Sequence, residues 1–131
     1  MVLFCLLSAL GAAPALAEGA RIEIACDFVT ACDAAGACAG GQGPVEFTLS
    51  PQETGPDGGG SYSVSVDGAA AIAAQGLSFA GPFLWSPSAD TRQVLVLTTE
   101  TTGLWIRQVT GAGTDTPPSA EIDLMSCEVT A

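Results

Sequence analysis

Along most of the chain, apolar and polar residues alternate with a period of two, the pattern of strands that bury one face and wet the other. In the first such segment Ile22, Ile24, Cys26 and Phe28 share one side, and Arg21, Glu23 and Asp27 the other. The second turns Val45, Phe47 and Leu49 inward, and the third sets Tyr62, Val64 and Val66 against Ser61, Ser63, Ser65 and Asp67. A weaker segment over residues 69–75 pairs with the third as a hairpin across Asp67-Gly68, a dipeptide that accepts the positive φ values of a tight turn. Residues 77–85 are interrupted by Gly81-Pro82, so a bent strand or two short pieces are expected. Residues 94–97 are continuously apolar, as in a strand covered on both faces. Over residues 104–109, Leu104 and Ile106 alternate with Trp105 and Arg107. Taking the two aliphatics as core-facing places Trp105 and Arg107 on the outer surface.

The final segment, residues 120–129, carries a conflict. Ile122 and Leu124 define one apolar face, whereas Met125, Cys127 and Val129 define the opposite one. A one-residue bulge near Met125 or Ser126 would reconcile them and bring Cys127 inward. Between the segments lie Gly- and Pro-rich turns, among them residues 50–60 with Pro51, Pro56 and three consecutive glycines. No helical periodicity of useful length occurs beyond residue 17. The expected fold is all-β: a small antiparallel meander barrel or a two-sheet sandwich of seven to eight short strands.

Residues 1–17 follow a different pattern. The apolar run over residues 2–10 has the length of a signal-peptide core and falls short of the roughly 20 residues of a membrane span. Gly11 and Pro14 end it, and Ala15-Leu16-Ala17 offers small residues at the positions a signal peptidase reads, which places cleavage after Ala17. No Lys or Arg precedes the run, so the amino terminus is its only positive charge. This organisation predicts a cleaved signal peptide over residues 1–17, with Cys5 inside it, and one domain over residues 18–131.

Export changes how the remaining cysteines are read. Cys26, Cys32, Cys38 and Cys127 are an even set in a small exported domain, where disulfides form and persist. Of the three possible pairings, Cys32–Cys38 closes a short Gly-containing loop, and Cys26–Cys127 ties the first strand to the last. The second link favours a barrel, since it brings the terminal strands together and closes the sheet edge. A zinc site would want closer spacings, usually with His, and the chain has no His.

Fourteen acidic residues against three basic ones give a net charge of −11. Nucleic-acid binding is disfavoured, because phosphate contacts need basic residues; binding to anionic lipid is disfavoured for the same reason. A cationic protein, by contrast, would be steered toward this surface. With no His and no Lys, the usual Ser-His-Asp and Cys-His nucleophile systems are impossible. Asp57 and Asp115 sit in turns without the clustered carboxylates of a calcium loop. No metal or cofactor is expected.

Carboxylates alone remain available for acid–base work: Glu121 and Asp123 share a strand face with α-carbons about 7 Å apart. Their plainer role is as solvated residues opposite Ile122 and Leu124. Trp105, stacked with Arg107, is the leading contact candidate. The outline is similar to that of the small periplasmic lysozyme inhibitors, which are acidic, disulfide-linked β-barrels. Their Ser-Gly pair shortly before a Tyr has no counterpart at Ser61-Tyr62-Ser63, so the likeness is one of architecture. The functions to weigh are therefore a non-catalytic binding module in the periplasm or outside the cell, an inhibitor of a basic exported enzyme such as lysozyme or a protease, and a small-ligand carrier or carboxylate-only enzyme.

Overall fold

The computed structural model describes residues 20–111, 115 and 117–130; the expected signal peptide and its cleavage site lie outside them. Among the described residues the chain forms nine strands, of which β2 lies outside the alternating segments: β1 (Ile22–Asp33), β2 (Cys38–Gly40), β3 (Pro44–Thr54), β4 (Gly60–Val66), β5 (Ile72–Gly76), β6 (Phe83–Trp85), β7 (Thr91–Thr99), β8 (Thr102–Val109) and β9 (Ser119–Thr130). All pairings are antiparallel. The order runs β1-β3-β4-β5-β6-β7-β8-β9 and returns to β1 through a β1–β9 ladder, while β2 extends the β1 edge. The molecule is thus an eight-stranded antiparallel barrel with one additional short strand.

Local chemistry accounts for the turns. Asp67 and Gly68 both take positive φ, 50° and 72°, the two-residue hairpin geometry expected between the third and fourth alternating segments. Gly81-Pro82 lies in the loop between β5 and β6, so residues 77–85 supply a single short strand, Phe83–Trp85, in place of a bent strand or two pieces. Gly76 has no alternative: a Cβ there would lie 2.6 Å from the Tyr62 ring.

Inward-facing apolar side chains form the core. Ile24, Phe47, Leu49, Tyr62, Val64, Phe83 and Leu95 are all nearly inaccessible. Phe47 and Trp105 meet edge to face with centroids 5.1 Å apart, as do Tyr62 and Phe83. Such pairs add to the area burial of the rings themselves. The Tyr62 hydroxyl is satisfied by donating to the Gly58 carbonyl.

β8 and the first part of β9 face opposite to the expectation, while Cys127 faces inward as expected. Asp123, Met125 and Cys127 face inward along β9, and Ile122 and Leu124 face out. Cross-strand pairing then carries Trp105 inward opposite Asp123 and turns Leu104 and Ile106 outward opposite Leu124 and Ile122. No bulge interrupts β9. The irregularity lies across the ladder, on β1, where Val29 is the extra residue between Phe28↔Met125 and Thr30↔Leu124. The physical reason is that Cys26 and Cys127 are registered partners and both face the core. β9 therefore keeps one phase throughout, and β1 absorbs the mismatch. Beyond Val29 the faces of β1 exchange, so Cys32 pairs with the outward Ile122 and its staple lies on the outer wall.

Both disulfides join the expected partners, Cys26–Cys127 and Cys32–Cys38, across sequence separations of 101 and 6. Loop-closure entropy gives the long link about 4.7 kcal/mol and the short one about 2 kcal/mol. Cys26→Ala/Cys127→Ala is therefore expected to lose more than twice the unfolding free energy lost by Cys32→Ala/Cys38→Ala. Urea denaturation followed by circular dichroism checks this, and equal losses would contradict it.

Candidate functional site

Two places on the barrel concentrate polar chemistry. The first is built from neighbouring strands, with Trp105 and Arg107 on β8 facing Asp123 and Glu121 on β9. Both β8 residues point inward, so Trp105 is 6% exposed and is not the outer contact residue expected from the alternation. Its indole is stacked against Phe28 and lies under the Arg107 guanidinium, whose carbon is 4.4 Å from the ring centroid. The indole N–H has no partner among the described residues.

Arg107 gathers the two carboxylates. Its Nε and Nη2 donate to Asp123 Oδ2 at 3.2 and 2.8 Å, and Nη2 also donates to Glu121 Oε1. Asp123 is 1% exposed and the Arg107 side chain 36%, so this is a part-buried ion pair extended by a more exposed one. Burial, then the hydrogen bond shared with Asp123, pushes the Glu121 carboxyl above the usual carboxylate range against the lowering pull of Arg107. A cleft of about 260 Å³ opens over Arg107 and Glu121, lined also by Gln93, Gln108 and Ser119. Asp123 is not part of that lining. The two carboxylates thus do not flank open space as an acid–base pair must. They share one cation, and the arrangement is a structural clamp between β8 and β9.

The second place lies at the opposite end of β9. A cleft of about 1120 Å³ runs between the β7–β8 hairpin and the neighbouring parts of β1, β3 and β9. Its apolar lining includes Val45, Leu97, Val129 and the Cys26–Cys127 disulfide, and Asp27, Glu46, Glu100 and Glu128 also line it. Strand alternation turns Asp27, Glu46 and Glu128 to the outer side of the wall, while Glu100 sits in the β7–β8 hairpin. None of the three arginines lines it. Arg21 is paired with Glu23, Arg92 donates to the carbonyls of Ala89 and Thr91, and Arg107 is held as described. This cleft escaped the sequence pattern, because each of its acids reads singly as a solvent-facing strand residue. The available signal was that Asp27, Glu46 and Glu128 are outward residues on three segments, two of which the expected disulfide already joined.

Among the described residues no group of three or more His, Cys, Asp or Glu side chains is placed to hold a metal ion, and no helix is long and apolar enough to cross a membrane. No protein-family model, curated protein or solved structure matches the chain.

Removing Arg107 would leave Asp123 buried without a counter-charge. Arg107→Met is expected to destabilise the fold by less than the roughly 3–5 kcal/mol of a fully buried pair, because the guanidinium is partly exposed, with part of the loss restored by adding Asp123→Asn, as read by denaturant titration. Glu121 gives a separate pH signature. Because its folded pKa is raised, the native state holds the proton more tightly than the unfolded chain. Its stabilising contribution is present below the ordinary carboxylate range and is lost as pH rises through the folded value. Glu121→Gln should therefore flatten the melting temperature against pH across that window, a result that an unchanged profile would exclude.

Proposed function

We propose that this domain is a non-catalytic interaction module of an oxidising, exported compartment, and that the acid-lined cleft beside the Cys26–Cys127 disulfide receives a cationic segment of a partner protein. The observation that carries the reading is the composition of that cleft, with four carboxylate residues, an apolar lining and no arginine. A cationic side chain with an aliphatic stem suits such a lining, since the stem can lie on apolar surface while the charge meets the carboxylates. The net charge of −11 raises the encounter rate with a basic partner. The two disulfides suit an oxidising compartment. An inhibitor of a basic exported enzyme is the same chemistry with the enzyme as the partner.

Calorimetric titration with an Arg/Lys-bearing amphipathic peptide, and with lysozyme as a basic exported enzyme, tests the reading. Binding should weaken as salt rises. The triple variant Glu46→Gln/Glu100→Gln/Glu128→Gln should weaken it roughly tenfold at low salt, taking about 0.5 kcal/mol per exposed pair. Absence of binding to either probe, or binding indifferent to both salt and the variant, would overturn it. Loss of lysozyme activity on binding would identify the inhibitor form.

A further inference from the structure

The two disulfides differ in their surroundings. Cys26 and Cys127 are 3% and 7% exposed and lie in the core, whereas Cys38 is open to solvent and Cys32 is half-buried on the outer wall. The pairing of β1 explains what the outer bond holds. β3 runs beside β1 only as far as Asp27↔Pro44. Beyond the bulge at Val29 that edge is taken over by β2, through Thr30↔Gly40, Ala31↔Ala39 and Cys32↔Cys38. Among the described residues β2 pairs with no other strand. After β2 the chain crosses Phe28. Gly41 N–H donates to the Val29 carbonyl at 2.9 Å, and Phe28 N–H donates to the Gly43 carbonyl at 3.1 Å. The approach is so close that a Cβ on Gly41 would lie 2.7 Å from the Phe28 Cβ. Phe28 in turn stacks on Trp105, with ring centroids 6.2 Å apart. Residues 38–43 are thus a strap over this ring pair, and Cys32–Cys38 is its clasp.

We propose that Cys32–Cys38 is a reversible thiol–disulfide switch that frees this strap. An exposed disulfide exchanges more readily than an enclosed one, because the attacking thiolate must reach a sulfur. The reductant is an external dithiol. One of its thiolates attacks Cys38 Sγ, the S–S bond breaks, and Cys32 leaves as a thiolate that takes up a proton. The second thiolate attacks the mixed disulfide and releases Cys38, which is protonated in turn. Two electrons and two protons pass to the protein, and the dithiol becomes a disulfide. The barrel itself stays closed, since the β1–β9 ladder and Cys26–Cys127 are untouched. What is lost is the covalent tie of a three-residue strand whose side chains are all exposed. Water then reaches Phe28 and Trp105. The Trp105 indole N–H has no partner among the described residues in the clasped form, and an unmet buried donor is a cost that water relieves. The turn between the two cysteines is held separately. Asp33 N–H donates to the Ala37 carbonyl, and Asp33 Oδ1 accepts from the N–H groups of Ala35 and Ala37. Both thiols therefore remain within reach of each other, and oxidation restores the clasp. The switch is independent of the cleft and of its proposed partner.

Treatment of the folded protein with dithiothreitol tests it, with thiols trapped by alkylation at intervals and located by mass spectrometry. Cys32 and Cys38 should be labelled at least about a hundredfold faster than Cys26 and Cys127. The circular dichroism spectrum should stay unchanged, while amide hydrogen exchange over residues 38–41 rises at least about tenfold. In Trp85→Phe the remaining tryptophan is Trp105. Its emission should move to longer wavelength on reduction and return on reoxidation. Adding Cys32→Ser/Cys38→Ser to that variant should give the longer-wavelength emission without any dithiol. Hydrogen exchange on the unsubstituted chain decides the matter if Trp85→Phe misfolds. Equal reduction rates for the two disulfides, or selective reduction that leaves exchange over residues 38–41 unchanged, overturns the proposal.

Discussion

The ladder between β1 and β9 is the constraint on which the rest of the structure depends. It turns an open meander into a closed barrel, and closure is the only arrangement that removes the edges of a sheet altogether. Cys26 and Cys127 are paired within it, so the seam is held by a covalent bond as well as by hydrogen bonds. Because both sulfurs must face the core, the phase of β9 is set along its length. From that follow the burial of Asp123 and Trp105, the exposure of Ile122 and Leu124, and the placement of the compensating bulge on β1.

Burying Asp123 in this way has a cost that Arg107 offsets. A carboxylate without access to water is tolerated only when a cation and hydrogen bonds replace its hydration. Arg107 supplies two donors to it and lies against the Trp105 ring at the same time. One side chain therefore links the charge on β9 to the aromatic cluster of the core. It also draws the most polar residues of β8 and β9 to the inside, and their aliphatic neighbours to the outside.

The strands whose two faces differ in polarity were legible in the sequence. β1 before its bulge, β3 and β4 place their apolar residues inward as the alternation predicts, and the cysteine pairing, chosen from the short Cys32–Cys38 loop, in turn pointed to terminal strands that meet. The register of β8 and β9 was not legible, because both of their faces are apolar enough to serve as core. Leu104 and Ile106 on one side compete with Trp105 on the other; Ile122 and Leu124 compete with Met125 and Cys127. Periodicity cannot arbitrate between two such faces, and the deciding contact is made with a residue about a hundred positions away in the chain. The cleft was hidden for a related reason. Its acids come from separate elements that only barrel closure brings side by side.

Closure also makes the order of strands cyclic. Glu23 and Thr130 are registered partners, so the chain enters and leaves the barrel side by side at one pole, the pole of the acid-lined cleft. A short linker between these ends, with new ends opened in the loop that joins β3 to β4, would preserve every neighbour in the sheet. The native order of the strands in the gene is then one of several circular permutations compatible with this barrel. Cargo joined at the start of β1 or the end of β9 would stand beside the cleft, whereas the pole holding Arg107 and Glu121 would stay clear.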